Sequence, residues 1–171
     1  MDLFFQDSLD RLPRIAAADS ADRGFAQWTE AAARLPDAGL AAQAKALAED
    51  PAGSRLLEAV FANSAFLTDC MLAEPAFLMD LLGRGPDATL DEVLRGLDEQ
   101  AAAETDPQRL MPVLRLARRK VALLVALADL TGHWSLERIV EALSDFADRA
   151  LSAAVGRLLV RAAERGELEL A

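Results

Sequence analysis

The stretch Val121-Ala122-Leu123-Leu124-Val125-Ala126-Leu127-Ala128-Asp129-Leu130, followed by Thr131-Gly132-His133-Trp134-Ser135-Leu136-Glu137, decides the fold. The first ten residues are apolar except for one Asp. They make a run about half the length a bilayer span needs, so they read as a buried helix. Gly132 then supplies the left-handed cap that ends it. Ser135 accepts from the free N–H groups of the next turn and opens another helix. The sequence therefore predicts two long helices forming an antiparallel hairpin around Thr131–Trp134, the second running from Leu136 to about Arg165, where Gly166 stops it.

The same punctuation divides the rest of the chain. Asp2 to Leu12 reads as a short amphipathic start ended by Pro13, and residues 13–21 as a loop. A helix is predicted from about Asp22 to Arg34, with Phe25, Trp28, Ala32 and Leu35 on one face. Another follows from about Ala38 to Glu49. Asp50-Pro51 places a capping carboxylate before a proline that needs no N–H, and predicts a helix from Pro51 to Ala62. Asn63-Ser64 breaks and recaps the chain into Ala65–Ala73, with Phe66, Leu67, Cys70 and Met71 inward. Glu74-Pro75 starts Pro75–Leu82, which Gly83 ends. Thr89 and Glu92 read as a capping box opening a helix to about Glu104. Asp106-Pro107 starts the next, with a kink or restart at Pro112.

Composition agrees with an all-α fold. Of 171 residues, 53% are hydrophobic, 5% aromatic and none is Tyr. That mixture, rich in Ala and Leu, loses little side-chain entropy in helices. The only strand-like alternation is Glu167-Leu168-Glu169-Leu170. The reading is a multi-helix bundle of about eight helices in a single domain, 1–171: N-terminal helices over 1–50, middle helices over 51–105, and the long hairpin over 107–165.

The formal net charge of −10 repels nucleic acid and anionic membranes alike. Met1-Asp2-Leu3-Phe4-Phe5-Gln6-Asp7 carries acids where a secretory signal needs positive charge, so no targeting segment is expected. Cys70 is the one cysteine. It can form no internal disulfide, reads as a small core residue, and fits a reducing cytoplasm.

Several residues invite a chemical reading. His133, the one histidine, sits in a turn and lacks the partners a general base or zinc site needs. Arg115, Arg118, Arg119 and Lys120 form a basic cluster. Either they contact a phosphate or nucleotide, or they pair with acids of the neighbouring helix. The second reading is favoured, and it sets Arg119 opposite Asp148 with Asp145 a turn away. Asp129 opposes the dipole at a helix end and is expected to find compensation near Ser135–Glu137. A site made of Arg118, Arg119, Asp129 and Asp148 lacks a nucleophile–base pair and a phosphate-cradling loop. Trp28 and Trp134 read as core. Asp91-Glu92 and Asp98-Glu99 read as solvated faces.

Asn63-Ser64-Ala65-Phe66-Leu67, Glu74-Pro75 and Leu81-Leu82 come first of an ordered set. Leu114-Arg115-Leu116-Ala117-Arg118-Arg119-Lys120, Ala126-Leu127-Ala128-Asp129-Leu130-Thr131-Gly132, Leu136-Glu137, and Leu143-Ser144-Asp145-Phe146-Ala147-Asp148 with Leu151 follow. Taken together, over residues 55–165, they resemble the N-terminal helical segment of the bacterial glutamine synthetase adenylyltransferases. The resemblance implies a bifunctional nucleotidyltransferase that adds AMP from ATP to glutamine synthetase and removes it by phosphorolysis, using magnesium. It also implies partners: glutamine synthetase, a nitrogen-signalling regulatory protein, and a nucleotidyltransferase core in the same polypeptide. The Gly-rich turn and paired acids of that core have no counterpart among these 171 residues. The expectation is thus a non-catalytic scaffold and interaction segment cut before its core, with no catalytic, cofactor-binding or metal-binding residue of its own. A free-standing helical adaptor that binds a partner helix is the alternative. Leu158-Leu159-Val160 is expected to belong to the apolar patch on which the core packs.

Overall fold

A computed structural model of the chain describes residues 3–168. Asp2 and the end of the Glu167–Leu170 alternation lie outside them. Among the described residues there are eight α-helices, one 3₁₀ segment and no strand, an all-α bundle. The 3₁₀ segment, Gln6–Arg11, replaces the longer amphipathic start. The helices are α1 (Ala18–Ala33), α2 (Ala38–Glu49), α3 (Pro51–Asn63), α4 (Ala65–Ala73), α5 (Pro75–Arg84), α6 (Pro86–Ala103), α7 (Pro107–Leu130) and α8 (Leu136–Glu164).

Capping carboxylates and hydroxyls set most of the starts. Asp37 accepts from Leu40 N, Asp50 from Ala52 N and Gly53 N, Ser64 from Leu67 N, Asp106 from Gln108 N, and Ser135 from Arg138 N. The two long helices end alike. At Gly132 (φ 62°) His133 N–H reaches Ala128 O and Gly132 N–H reaches Asp129 O. At Gly166 (φ 71°) Glu167 N–H reaches Ala162 O and Gly166 N–H reaches Ala163 O. Both are Schellman closures, which a left-handed glycine permits at no steric cost.

Three boundaries differ from the sequence reading. Helix α1 begins at Ala18, inside the expected loop, behind an Ala17 that offers no side-chain cap. The alanines there have high enough helix propensity to extend the helix without one. Helix α5 runs through Gly83 and stops at Gly85 (φ 83°), so Gly85 rather than Gly83 is the breaker. Helix α6 opens at Pro86, not at Thr89, whose hydroxyl donates back to Gly85 O at 2.8 Å. Proline at the first helical position outcompeted the capping box. Pro112 lies within a continuous α7 and does not restart it.

One contiguous core joins the elements. Phe5, Trp28, Leu47, Leu56, Leu57, Met71, Leu78, Leu81, Leu123 and Leu124 are buried in it. Helices α1 and α3 pack closely because Gly24 lies directly under the ring of Phe61, where a Cβ would stand 2.4 Å from Cγ. The non-helical stretch after Leu12 is held by α3. Arg55 donates to the carbonyls of Leu12 (3.1 Å) and Pro13 (2.7 Å), and Asn63 to that of Arg14 (2.9 Å). Those carbonyls have no helical partner, so side chains satisfy them. Phe66 departs from expectation: it is 55% exposed, while Cys70 and Met71 of the same helix are buried. A nine-residue helix cannot turn all four apolar residues inward, and Phe66 lies on the losing side.

Helices α7 and α8 pack on one another across the Thr131–Ser135 turn, and both pack on α6. Among the described residues no helix is long and apolar enough to cross a membrane.

Candidate functional site

The polar side chains form ties between helices. The first tie is at Arg119 on α7, which pairs with Glu74 at the α4–α5 junction (3.0 Å). The expected Arg119–Asp148 pair is therefore not formed. Arg119 is taken up instead by the carboxylate at the α4–α5 break. Asp148 and Asp145 instead line a groove between α6 and α8 with Asp98 and Arg149. Arg115 and Arg118 are exposed, with no ion pair among the described residues. Lys120 lies over the Phe77 ring, 5.4 Å from its centroid.

The second tie centres on Asp87, in the first turn of α6. Its Oδ2 accepts from Trp134 Nε1 at 3.2 Å, and its Oδ1 from Arg138 Nε at 3.2 Å and Nη2 at 3.1 Å. His133 Nε2 stands 4.0 Å from Oδ2, and Phe4 meets the imidazole edge-on. Arg138 also stacks over Trp134, at 4.7 Å. His133 is thus a turn residue, with one carboxylate beside it. Nothing in the Gly85-Pro86-Asp87 turn announced this hub, since Trp134 and Arg138 lie about fifty residues away.

The third tie runs along α6 and α8. Asp98 pairs with Arg149, and Arg157 donates to the carbonyl of Ala101. With Asp87–Arg138 these make three rungs in ascending order, so α6 and α8 run in the same direction.

The remaining residues with chemical potential lie apart. The Cys70 thiol is buried, and burial pushes its pKa up, so it is held protonated. Asp129 is exposed and its carboxylate makes no contact with the start of α8. The compensation expected from the N–H groups near Ser135–Glu137 is therefore not formed. Asp129 lies ten residues along α7 from Arg119, about 15 Å at helical rise. Arg118, Arg119, Asp129 and Asp148 are therefore not brought together. Arg84 and Glu92 form an exposed pair that pulls the Glu92 pKa down and the Arg84 pKa up. Glu92 lines a cleft of about 300 Å³ between α5, α6 and α7, together with Phe77, Val93 and Val113 and with Asp80, Glu99, Arg95 and Lys120.

A magnesium–nucleotide site needs closely spaced acids beside an open glycine turn. The Gly132 turn does not fit one. Arg11 fills it, with Nη1 only 1.9 Å from where a Cβ would stand, and the nearest acid along the chain, Asp129, faces solvent. Among the described residues no group of three His, Cys, Asp or Glu side chains converges on a point where a metal ion would be held.

Comparison with known proteins gives the relationship. A family model described as glutamate-ammonia ligase adenylyltransferase matches residues 54–169. The bifunctional glutamine synthetase adenylyltransferase/adenylyl-removing enzyme of Bradyrhizobium diazoefficiens is 34% identical over 156 residues, covering 91% of this chain and 15% of that protein. Its counterpart in Mesorhizobium japonicum is 38% identical over 152 residues, covering 87% and 15%. That of Xanthobacter autotrophicus is 34% identical over 157 residues, covering 92% and 16%. The chain spans about 15% of the length of these relatives. No solved structure matches it.

Proposed function

The chain belongs to the glutamate-ammonia ligase adenylyltransferase family, and from that premise we propose that it is a helical scaffold segment of an enzyme that adds AMP to glutamine synthetase and removes it by phosphorolysis. In this reading its own residues do no chemistry. It packs on the nucleotidyltransferase core of the longer polypeptide, with the Leu158-Leu159-Val160 end of α8 at the meeting point, and helps present glutamine synthetase or a nitrogen-signalling protein to that core. Magnesium and ATP belong to the core, and the setting is the cytoplasm.

One observation carries the reading: the placement of the charged residues. Arg119, Asp87, Arg138 and Arg149 each spend their hydrogen bonds joining one element to another. A catalytic group must keep a lone pair or proton free for substrate within hydrogen-bond reach of its helper. Family membership also disfavours the free-standing adaptor.

The test is an activity assay on the 171-residue chain. Adenylylated glutamine synthetase is incubated with the chain and phosphate, and unmodified glutamine synthetase with the chain, ATP and magnesium. The expected result is no release and no transfer of AMP in either direction. Turnover above the no-protein control in either direction would overturn the non-catalytic reading.

A further inference from the structure

Helix α7 concentrates positive charge in an acidic chain. From Pro107 to Ala128 there are five cations, Arg109, Arg115, Arg118, Arg119 and Lys120, and no acid, whereas the whole chain carries a net charge of −10. Among the described residues only Arg119 of the five forms an ion pair, with Glu74. Lys120 lies over Phe77. Arg109, Arg115 and Arg118 are exposed and form no ion pair there. Met111, Arg115 and Arg118 follow one another at steps of four and three, so they share one face of the helix. Met111 is itself exposed.

Like charges one helical turn apart weaken a helix, and Arg115 has both Arg118 and Arg119 at that spacing. Elsewhere the fold answers such charge: Asp87 takes Arg138, Asp98 takes Arg149, and Glu92 takes Arg84. Arg115 and Arg118 are left without an acid in a chain that has 28 of them. An anionic partner would relieve the repulsion and fill two guanidinium forks whose geometry matches carboxylates.

We propose that this face of α7 docks a short acidic segment of a partner protein. Two carboxylates one helical turn apart sit on Arg115 and Arg118, and an apolar side chain a turn further along lies on Met111. The character of the face selects a separate partner over the rest of a longer polypeptide. Permanent contacts bury mainly apolar surface, which is what the Leu158-Leu159-Val160 end of α8 offers. Charges beside a single apolar anchor instead steer a partner that comes and goes. The size of the face selects a short acidic segment over a nucleic acid. From Met111 to Arg118 is about 10 Å at helical rise. Asp106 and Asp129 stand at the two ends of α7. Asp69 and Glu74 flank the cluster on the α4 side, near enough that they and Arg118 and Arg119 all act on the Cys70 thiol. A longer polyanion would overrun onto those acids and be repelled. Docking here depends on the charge pattern and not on the proposed function.

Amide NMR spectra of the isotope-labelled 171-residue chain test it, because they read weak binding and place it on the sequence. The probe is a short unphosphorylated peptide carrying Glu, Glu and Leu at helical spacing, and its control has Gln in place of each Glu. The acidic peptide should shift resonances between Gln108 and Arg119 in a saturable way, and added salt should weaken the effect. Arg115→Glu combined with Arg118→Glu should weaken binding roughly tenfold or more. Arg14→Glu combined with Arg34→Glu changes the net charge equally outside α7 and should change binding by no more than about twofold, since those charges are screened. All four positions are exposed, and circular dichroism of both variants should match the parent. The proposal is overturned if the acidic peptide moves no α7 resonance, if the Gln peptide moves them as much, or if the reversals outside α7 weaken binding as much as those within it. A single-stranded oligonucleotide that shifts the same resonances at lower concentration than the peptide overturns it as well, since the face would then read phosphate.

Discussion

Trp28 of α1 donates its indole N–H to the carbonyl oxygen of Ala44 of α2 at 2.9 Å, in a part of the core where the ring is 1% exposed and Ala44 wholly buried. A buried indole N–H needs an acceptor, and this one fixes α1 against α2. Trp28→Phe removes the donor and leaves a gap beside Ala44. The expected cost is about 2 kcal/mol, the sum of a lost buried hydrogen bond and part of a cavity. Urea denaturation should show it as a lower midpoint with an unchanged slope.

Two glycines should respond in opposite ways. Gly53 lies in the first turn of α3 against the end of α2, where a Cβ would sit 2.2 Å from the backbone oxygen of Leu47. Backbone cannot yield as a side chain can, so Gly53→Ala should cost about 2 kcal/mol or more. Gly156 lies inside α8 with open space around it. Gly156→Ala should stabilise the protein by up to about 1 kcal/mol through helix propensity. Thermal melts of the two variants should shift in opposite directions.

Arg119 and Glu74 should be energetically coupled, and Arg119 and Asp148 should not. The ion pair is half open to water, with side chains 44% and 21% exposed, so the coupling is expected at about 0.5 kcal/mol. Double-mutant cycles with Arg119→Ala against Glu74→Ala and against Asp148→Ala measure both. Additivity in the first cycle would remove the tie between α7 and the α4–α5 junction.

Cys70 should be inert until the chain unfolds. Its thiol is 2% exposed and its pKa is raised, chiefly by burial. Ellman's reagent should find no thiol in the native protein and one in urea. The sign of the linkage follows from the raised pKa. Below the thiol pKa of the unfolded chain both states are protonated and stability is unaffected. As pH rises beyond it the unfolded state ionises first, and stability falls until the native thiol also titrates. Cys70→Ala should flatten that alkaline decline, as read from stability measured across the alkaline range.

The two long helices were legible because each boundary is a local event. Asp106, Gly132, Ser135 and Gly166 act on N–H and carbonyl groups within four residues of themselves, and all four behave as their residue types predict. The start of α1 was not legible, because Ala17 has no capping side chain to read. The start of α6 differs from the sequence reading because Thr89 and Glu92 resemble a cap, while Pro86, three residues earlier, takes the first helical position. The pairing of Arg119 failed for a different reason. Helical spacing tells which residues share a face, but not which neighbour that face meets.

What the sequence by itself determined is the class of fold and the order of the helices, because capping, periodicity and composition are properties of short stretches; the family followed from the resemblance of an ordered set of motifs. Only the tertiary structure decided that Asp87 gathers Trp134 and Arg138 and that Glu74 takes Arg119. Those relationships join residues as much as 51 positions apart, and their geometry is fixed by how whole helices pack, a balance of buried area and shape summed over the entire core.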